Sequence, residues 1–570
     1  MKNVFCFLLL LSYAAVCQSD TSESGGKAVS FLSGMSSYIK VTGEAGTYGE
    51  LYSIDGMASR RPPKTGRIFL RPTLILFDNI KFAFDLFLST EGNSAKQQMD
   101  QLAVHPSWGW GQAHIGDFSY ELSKYTMSGI TIRGLGAEVY PGIFRIHILS
   151  GQAQRAISGT AYESAYARYL YAMKIGIGKK ESTHFDINIL KVNDDVKSVS
   201  RENFMQIQRD SVLAGGVYTP KIDTMYSGIT PQENLVLGTN FLIKILNGMF
   251  QLRGEAAGSI YTKDMYSEDF QTDQVPDIAK GIYRSRISTS ADYAYNGDLS
   301  YQQKGYSAKV GYKVIGPGYT SLGLASVIND KRIIDGAFGF QALQGMITVR
   351  TTYANQQDNL LNQKINTTSR NDFSVTTSVR PLAELMISLN YVNNNLENDA
   401  KNDTFKLSNS NNSYNFSGTY QFDLFKLKHI LLTTYAFQTY KDNNITRKGN
   451  GADAQNIILN LTTMIDQQWN VSTGFQTNTV TVQNEDKSTY GFSARVSNKM
   501  SGGLLNNSVS YSFNTSSVSN TNNVQVNSNF SVTQSSSLVL NVRTTFFSGK
   551  PPAQYNFTEI LGSLGYTYRF

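Results

Sequence analysis

The chain has 570 residues, a formal net charge of +7, 17% charged residues and a mean hydropathy of −0.26. That charged fraction is low for a soluble protein, while the negative hydropathy excludes a bundle of apolar helices. Two cysteines exclude a disulfide scaffold.

Residues 1–17 pair Lys2 with an apolar run from Val4 to Val16 and end on Ala15-Val16-Cys17. This is too short to span a bilayer as a helix and has the layout of a secretory signal cut before Gln18. Both cysteines, Cys6 and Cys17, fall within it. A short segment, 18–36, follows and leaves no room for an N-terminal plug domain. No later apolar run approaches 18 residues. A membrane crossing must therefore use a closed barrel, the other structure that satisfies every backbone group in lipid.

From 37 onward the dominant pattern is strict alternation. In 80–91, Ile80, Phe82, Phe84, Leu86 and Leu88 oppose Lys81, Asp85 and Glu91. Successive strand residues face opposite sides, so one face is apolar and the other polar. Such segments are predicted at 37–53, 66–77, 79–91, 110–118, 128–140, 142–153, 164–178, 183–192, 234–246, 248–262, 303–315 and 335–341. They continue at 344–355, 370–380, 383–394, 412–423, 426–440, 455–464, 468–481, 487–498, 502–514, 522–534, 536–548 and 558–570. Many run to about 9–13 residues, the length of a tilted membrane strand. Long loops are expected at 193–233 and 263–302, with charges that could fold over or into the lumen. Residues 371–570 hold 30 Asn against 14 Lys+Arg and 12 Asp+Glu, a regular polar meander. The fold class is all-β: one large transmembrane antiparallel β-barrel over 37–570, of about 24 strands (22–26).

The sequence closes on Ile560, Leu564, Tyr566, Tyr568 and Phe570 on one strand face. This resembles the C-terminal strand of bacterial outer-membrane β-barrels. The resemblance implies an outer-membrane location and recognition of Tyr566, Tyr568 and Phe570 by the barrel-assembly machinery. Further stretches resemble blocks in large outer-membrane proteins of the Bacteroidota and relatives. They are His105–Phe118, Ser128–Gly134, Tyr140–Phe144, Pro231–Val236, Gly254–Ala257, Gly318–Gly323 and Asn329-Asp330. These imply class and location and transfer no catalytic residue.

Charges at polar strand positions are expected to face the lumen, because a charge facing lipid costs about 2–4 kcal/mol at the midplane. They are Arg71, Lys81, Asp85, Arg133, Glu138, Arg145, Arg253, Glu255, Lys309, Lys313, Arg350, Arg495, Arg543 and Arg569. Trp108 and Trp110 suit an interfacial girdle. No metal site is expected from the five histidines, which form no H-x-x-H or H-x-x-x-H pair. His184 and Asp186 share a strand face as ordinary lumen residues would. No nucleophile elbow or phosphate loop occurs. No compact basic stripe suggests nucleic acid, and no cofactor is expected. These features point to a non-enzymatic, porin-like passive conduit in contact with outer-membrane lipid. The alternative is a barrel scaffold in a secretion or surface-assembly complex, with periplasmic or surface protein partners. An outer-membrane enzyme is the third reading.

Overall fold

A computed structural model describes residues 38–570, apart from 92–99, 160–162, 201–204, 215–216, 227, 271–282, 448, 484 and 552–554. For 205–226 it describes the backbone. The predicted signal and the segment 18–36 lie outside the described residues.

The described residues form 28 strands. The first fourteen are β1 (Ile39–Asp55), β2 (Lys64–Leu76), β3 (Ile80–Ser89), β4 (Gln101–Trp108), β5 (Gly111–Ser119), β6 (Thr131–Val139), β7 (Phe144–Gln154), β8 (Arg168–Gly178), β9 (His184–Asp194), β10 (Met205–Ala214), β11 (Val217–Tyr226), β12 (Glu233–Ile245), β13 (Phe250–Thr262) and β14 (Thr289–Gln303). The rest are β15 (Tyr306–Ile315), β16 (Lys331–Ala342), β17 (Ile347–Gln357), β18 (Thr368–Leu382), β19 (Leu385–Asn398), β20 (Ser408–Leu424), β21 (Leu427–Asp442), β22 (Ala452–Met464), β23 (Trp469–Val482), β24 (Glu485–Met500), β25 (Leu505–Ser516), β26 (Ser519–Thr533), β27 (Ser536–Gly549) and β28 (Asn556–Arg569).

Every strand except β10 and β11 joins one 26-stranded antiparallel sheet. Neighbours in sequence pair with each other, and β9 pairs with β12. The sheet closes where Glu44–Asp55 of β1 pairs with Thr558–Arg569 of β28. Strands β10 and β11 form a separate hairpin within the β9–β12 connection.

The outer surface carries the apolar half of the alternation. Leu135, Ile148, Ile175, Ile187, Leu237 and Val310 are exposed there, as a lipid-facing wall requires. A row of rings crosses adjacent strands through Tyr391–Tyr414 and Tyr414–Phe437, with centroids 4.9 and 6.3 Å apart. Beside it, Tyr353 and Tyr391 donate hydroxyl hydrogen bonds to Asn371 and Asn412 at 3.1 and 3.0 Å. An aromatic body with a polar tip is the chemistry of a membrane–water interface.

The two rims differ. At one, no connection exceeds the five residues 179–183. Several of its turns place two consecutive residues at positive φ: Phe77 and Asp78, Leu246 and Asn247, Phe425 and Lys426. That is the type I′ pattern whose twist matches a hairpin. The other rim carries the long connections, including 120–130, 263–288 and 316–330.

The strand count falls within the expected range, but two barrel strands escaped the sequence reading. Strand β4 contains Pro106, which donates no hydrogen bond, and the β4–β5 ladder skips from Val104↔Ile115 to Ser107↔Gln112. Strand β14 occupies most of what was expected to be the end of a loop at 263–302. Asn296-Gly297 and two aspartates, Asp292 and Asp298, mimic a loop there. Its outward Tyr293, Tyr295 and Leu299 nevertheless alternate. The loop proper ends at 288.

Candidate functional site

The lumen is filled on one side and lined by accessible polar residues on the other. Two connections at the long-loop rim turn inward and pack on each other. Residues 120–130 supply Leu122, Tyr125 and Met127; residues 316–330 supply Tyr319. These pack on inward side chains of the wall, among them Phe118, Ile132, Leu170, Leu190, Val236 and Ala257. Met127, Ile132, Leu170, Leu190, Val236 and Tyr319 have no exposed surface.

Hydrogen bonds lock this plug together and to the wall. Tyr319 donates its hydroxyl to the Tyr125 carbonyl at 2.7 Å, and Ser321 donates to the Thr126 carbonyl at 2.6 Å. The Ser128 N–H donates to Gly323 O at 3.0 Å, and the Ala325 N–H donates back to Ser128 O at 3.2 Å. From the wall, Asn234 donates to Thr320 O at 3.2 Å and accepts from the Leu322 N–H at 3.0 Å. Glu255 accepts from the Tyr125 N–H at 2.9 Å, and Lys174 donates to the Leu122 carbonyl. Four of the stretches singled out in the sequence meet here, since Ser128, Asn234, Glu255 and Gly318–Gly323 belong to the plug or its seat, while Tyr140–Phe144 lies at the short-turn rim.

A charged network lies in the same half of the barrel. Arg145 forks onto Asp186 at 2.7 and 3.2 Å, and Lys174 lies 3.9 Å from the same carboxylate. Asn240 donates to Asp186 at 3.1 Å, and His184 lies 3.8 Å away. Asp186 is fully buried, so its acceptor capacity is used by neighbours instead of water. A second cluster joins Glu138 to Tyr140 at 2.7 Å, Tyr120 at 3.2 Å and His114 at 3.7 Å. His105 and His114 approach within 3.0 Å where the β4–β5 ladder is interrupted. They line a cavity of about 340 Å³ with Asp85, Gln101 and Gln112. Among the described residues, no three His, Cys, Asp or Glu side chains converge as metal ligands would.

Strand parity locates the charges singled out in the sequence. Arg71 lies between Glu44 and Asp85, at 3.2 and 3.1 Å. Lys81 and Asp85 sit on the same face of β3, opposite Phe82, Phe84 and Leu86. Arg145 and Glu255 are buried on the inner side, and Lys313 lies 5.7 Å from the Tyr125 ring centroid. Arg253, Lys309, Arg350, Arg495, Arg543 and Arg569 occupy the face opposite the exposed apolar residues of their strands. Arg543 lies 3.9 Å from Glu559.

Arg133 is different. It shares the outer face with Leu135, while Ile132 and Glu138 point inward. The expectation of an inward Arg133 is therefore corrected. Arg133 and Glu138 differ in parity, so one strand cannot turn both inward. On the outside Arg133 binds Asp117 through two 2.7 Å hydrogen bonds, close to the long-loop rim. Trp108 and Trp110 flank the tight β4–β5 turn, with ring centroids 5.4 Å apart. Tyr566 and Tyr568 are exposed on the outer face of β28, and Phe570 exchanges backbone hydrogen bonds with Gly43 at 2.8 and 3.0 Å.

Across from the plug, the inner wall is polar and accessible. No inner-wall residue of β16–β23 is buried like the plug seat; His429 is buried on the outer face, stacked on Phe422. Hydroxyl and amide groups pair across neighbouring strands: Thr352 with Ser374 at 2.6 Å, Thr462 with Ser472 at 2.9 Å, and Thr545 with Asn523 at 2.8 Å. Over β19–β23 the inward charges are Asp423 and Lys428, both beside the turn at 425–426, and Asp442 at the long-loop rim, which pairs with Arg447 at 2.8 Å.

At the long-loop rim, Asp330 clamps the connections 316–330 and 358–367 together. It accepts from the Asn359 and Leu360 N–H groups at 3.1 and 2.9 Å and pairs with Lys364 at 2.5 Å. Burial pushes its carboxyl up, but Lys364 and the two backbone donors outweigh this and hold it below the usual carboxylate range.

No protein-family model matches the chain. Argininosuccinate synthase of Xenopus tropicalis is 26% identical over 144 residues, which is 25% of this chain. The chain spans 32% of that protein's length. Among solved structures, the P pilus usher (PapC) translocation pore is 9% identical with a TM-score of 0.38, covering 93% of this chain and 99% of that chain. OccAB3 of Acinetobacter baumannii is 10% identical with a TM-score of 0.33, covering 69% and 100%. OccK1 (OpdK) of Pseudomonas aeruginosa is 11% identical with a TM-score of 0.29, covering 68% and 99%.

Proposed function

We propose that the chain is an outer-membrane β-barrel that acts as a porin-like passive conduit, off-centre because its own connections fill one side. The observation that carries this reading is the accessible, hydrogen-bonded polar wall of β16–β28 facing the plug. A barrel of 26 strands encloses more volume than wall side chains fill. The plug takes up the half where the wall turns apolar residues inward, and water occupies the half where it turns Ser, Thr, Asn and Gln inward. In this reading the short-turn rim faces the periplasm and the long-loop rim faces outside.

Planar-bilayer recording of the purified barrel tests this. Discrete conductance steps are expected. Ser417→Cys and Asn460→Cys, both on the inner wall, should react with a charged methanethiosulfonate reagent and lower the current. A folded barrel that carries no current overturns the reading.

A further inference from the structure

The inner face of β17–β26 is nearly free of aromatic rings. Among the described residues, Tyr440 is its one aromatic, beside the long-loop rim. At the same rim, Phe547 of β27 and Phe557 of β28 pair directly across the ladder, on the inward parity shared with Asn541, Arg543 and Ser563. Their rings stack at 4.9 Å with planes 12° apart. Tyr555 extends the stack, 5.1 Å from Phe547 and 6.5 Å from Phe557, and stays half exposed. The Arg60 guanidinium lies over Phe557, 5.2 Å from its centroid. Three near-parallel rings thus line the lumen mouth, away from lipid, where a cross-strand pair alone would need two.

What adjoins the stack narrows its ligand. Thr545 and Asn523 present a hydroxyl and an amide one inward position deeper. Arg543 and Glu559 face each other, and Tyr52 donates to Glu559 at 2.9 Å, so their charges are matched. Further round, β19–β23 offer an almost uncharged hydroxyl and amide wall. A single ion would find little field there, and an apolar solute would find no continuous greasy surface. A polyhydroxylated ring suits both parts: its C–H face packs on a flat aromatic ring, and its hydroxyls bond amides and hydroxyls.

We infer that Phe547, Tyr555 and Phe557 form a binding platform for neutral soluble oligosaccharides at the mouth of the barrel. That the bound sugar then passes through rests on the conduit reading; the binding itself does not. Titration calorimetry of the full barrel in detergent, with maltohexaose, cellohexaose and chitohexaose as probes, tests the platform. Oligogalacturonate of equal length is the charged control. At least one neutral hexasaccharide should bind, at least tenfold more tightly than the control. Tyr555→Ala, outside the strands, and Phe547→Leu, which keeps apolar bulk without a ring, should each weaken binding about tenfold. Heat-modifiable gel migration checks that both variants are folded. Failure of all three sugars to bind, or unchanged affinity in both variants, overturns the platform. The two readings separate in parallel bilayer recordings. Current without sugar binding defeats the platform and leaves the conduit standing; sugar binding without current does the reverse.

Discussion

Tyr319→Ala should release the plug while leaving the wall intact. The ring is fully buried among plug and wall residues, and its hydroxyl satisfies the Tyr125 carbonyl at 2.7 Å. Truncating a buried aromatic costs about 3–5 kcal/mol. The lost hydrogen bond adds about 1 kcal/mol. Relaxation recovers part of this, so about 4 kcal/mol is the working figure, or about a thousandfold in a local opening constant. That loss falls on the plug because Tyr319 takes no part in any strand ladder. Amide hydrogen exchange reads it directly, since exchange follows local opening. The reporters are the N–H groups of Leu122, Met127, Ser128 and Ala325, each hydrogen-bonded within the plug. Their protection should fall about a thousandfold, while amides of β20 and β21 keep theirs. In bilayers the same variant should conduct more and flicker. A change of less than tenfold in plug protection, in a folded protein, refutes the claim that Tyr319 pins the plug.

Other outcomes follow from single groups. Asp186→Ala leaves Arg145 and Lys174 in a buried site without their counter-ion; urea unfolding in detergent should show about 3–5 kcal/mol lost, and Arg145→Met added to it should restore part. Asp330 has a lowered pKa, so its clamp is fully present above the ordinary carboxylate value of about 4 and is lost as pH falls through the lowered one. Exchange of the Asn359 and Leu360 amides should therefore stay slow from pH 7 to pH 5 and quicken, relative to intrinsic rates, only in stronger acid; equal protection in Asp330→Ala at pH 7 would remove the basis for this. Phe570→Ala should lower the amount assembled in cells severalfold yet change the unfolding of refolded barrel by less than about 1 kcal/mol, because the backbone bonds to Gly43 remain. A matching loss in both measurements would make Phe570 a packing residue and not a recognition residue.

The barrel was legible because each lipid-facing strand must repeat one physical pattern. Ile80 to Leu88 shows it: an outward apolar residue at every second position, whatever lies inside. Strands β4 and β14 hid because Pro106 and Asn296-Gly297 carry strong local turn chemistry that the closed sheet overrides. The plug was invisible for another reason. Ile132, Leu170, Leu190 and Val236 face inward, so β6, β8, β9 and β12 carry apolar residues on both faces and alternation fades. The loss of a polar face in strands that must line a lumen was the available signal of a filled half. The loops of about 40 residues expected at 193–233 and 263–302 stand out by size, yet among the described residues the connections 120–130 and 316–330, less than half as long, fill the space. Arg133 shows the limit of composition alone, since parity with Ile132 and Glu138 decides its side.

The seam between β1 and β28 has a consequence for how the molecule comes into being. Nearly every other pairing joins neighbours in sequence, so hairpins can form as soon as their two arms exist. The seam alone joins segments about 500 residues apart, as with Tyr52 and Glu559. The entropy of bringing such distant ends together grows only with the logarithm of their separation. Delay, more than energy, is therefore the burden. Until that last zipper closes, a curved sheet with two raw edges must be kept from pairing with another copy. The interval before closure is when this protein is most exposed to misassembly, and whatever holds the edges of β1 and β28 apart during it governs the yield of finished barrels.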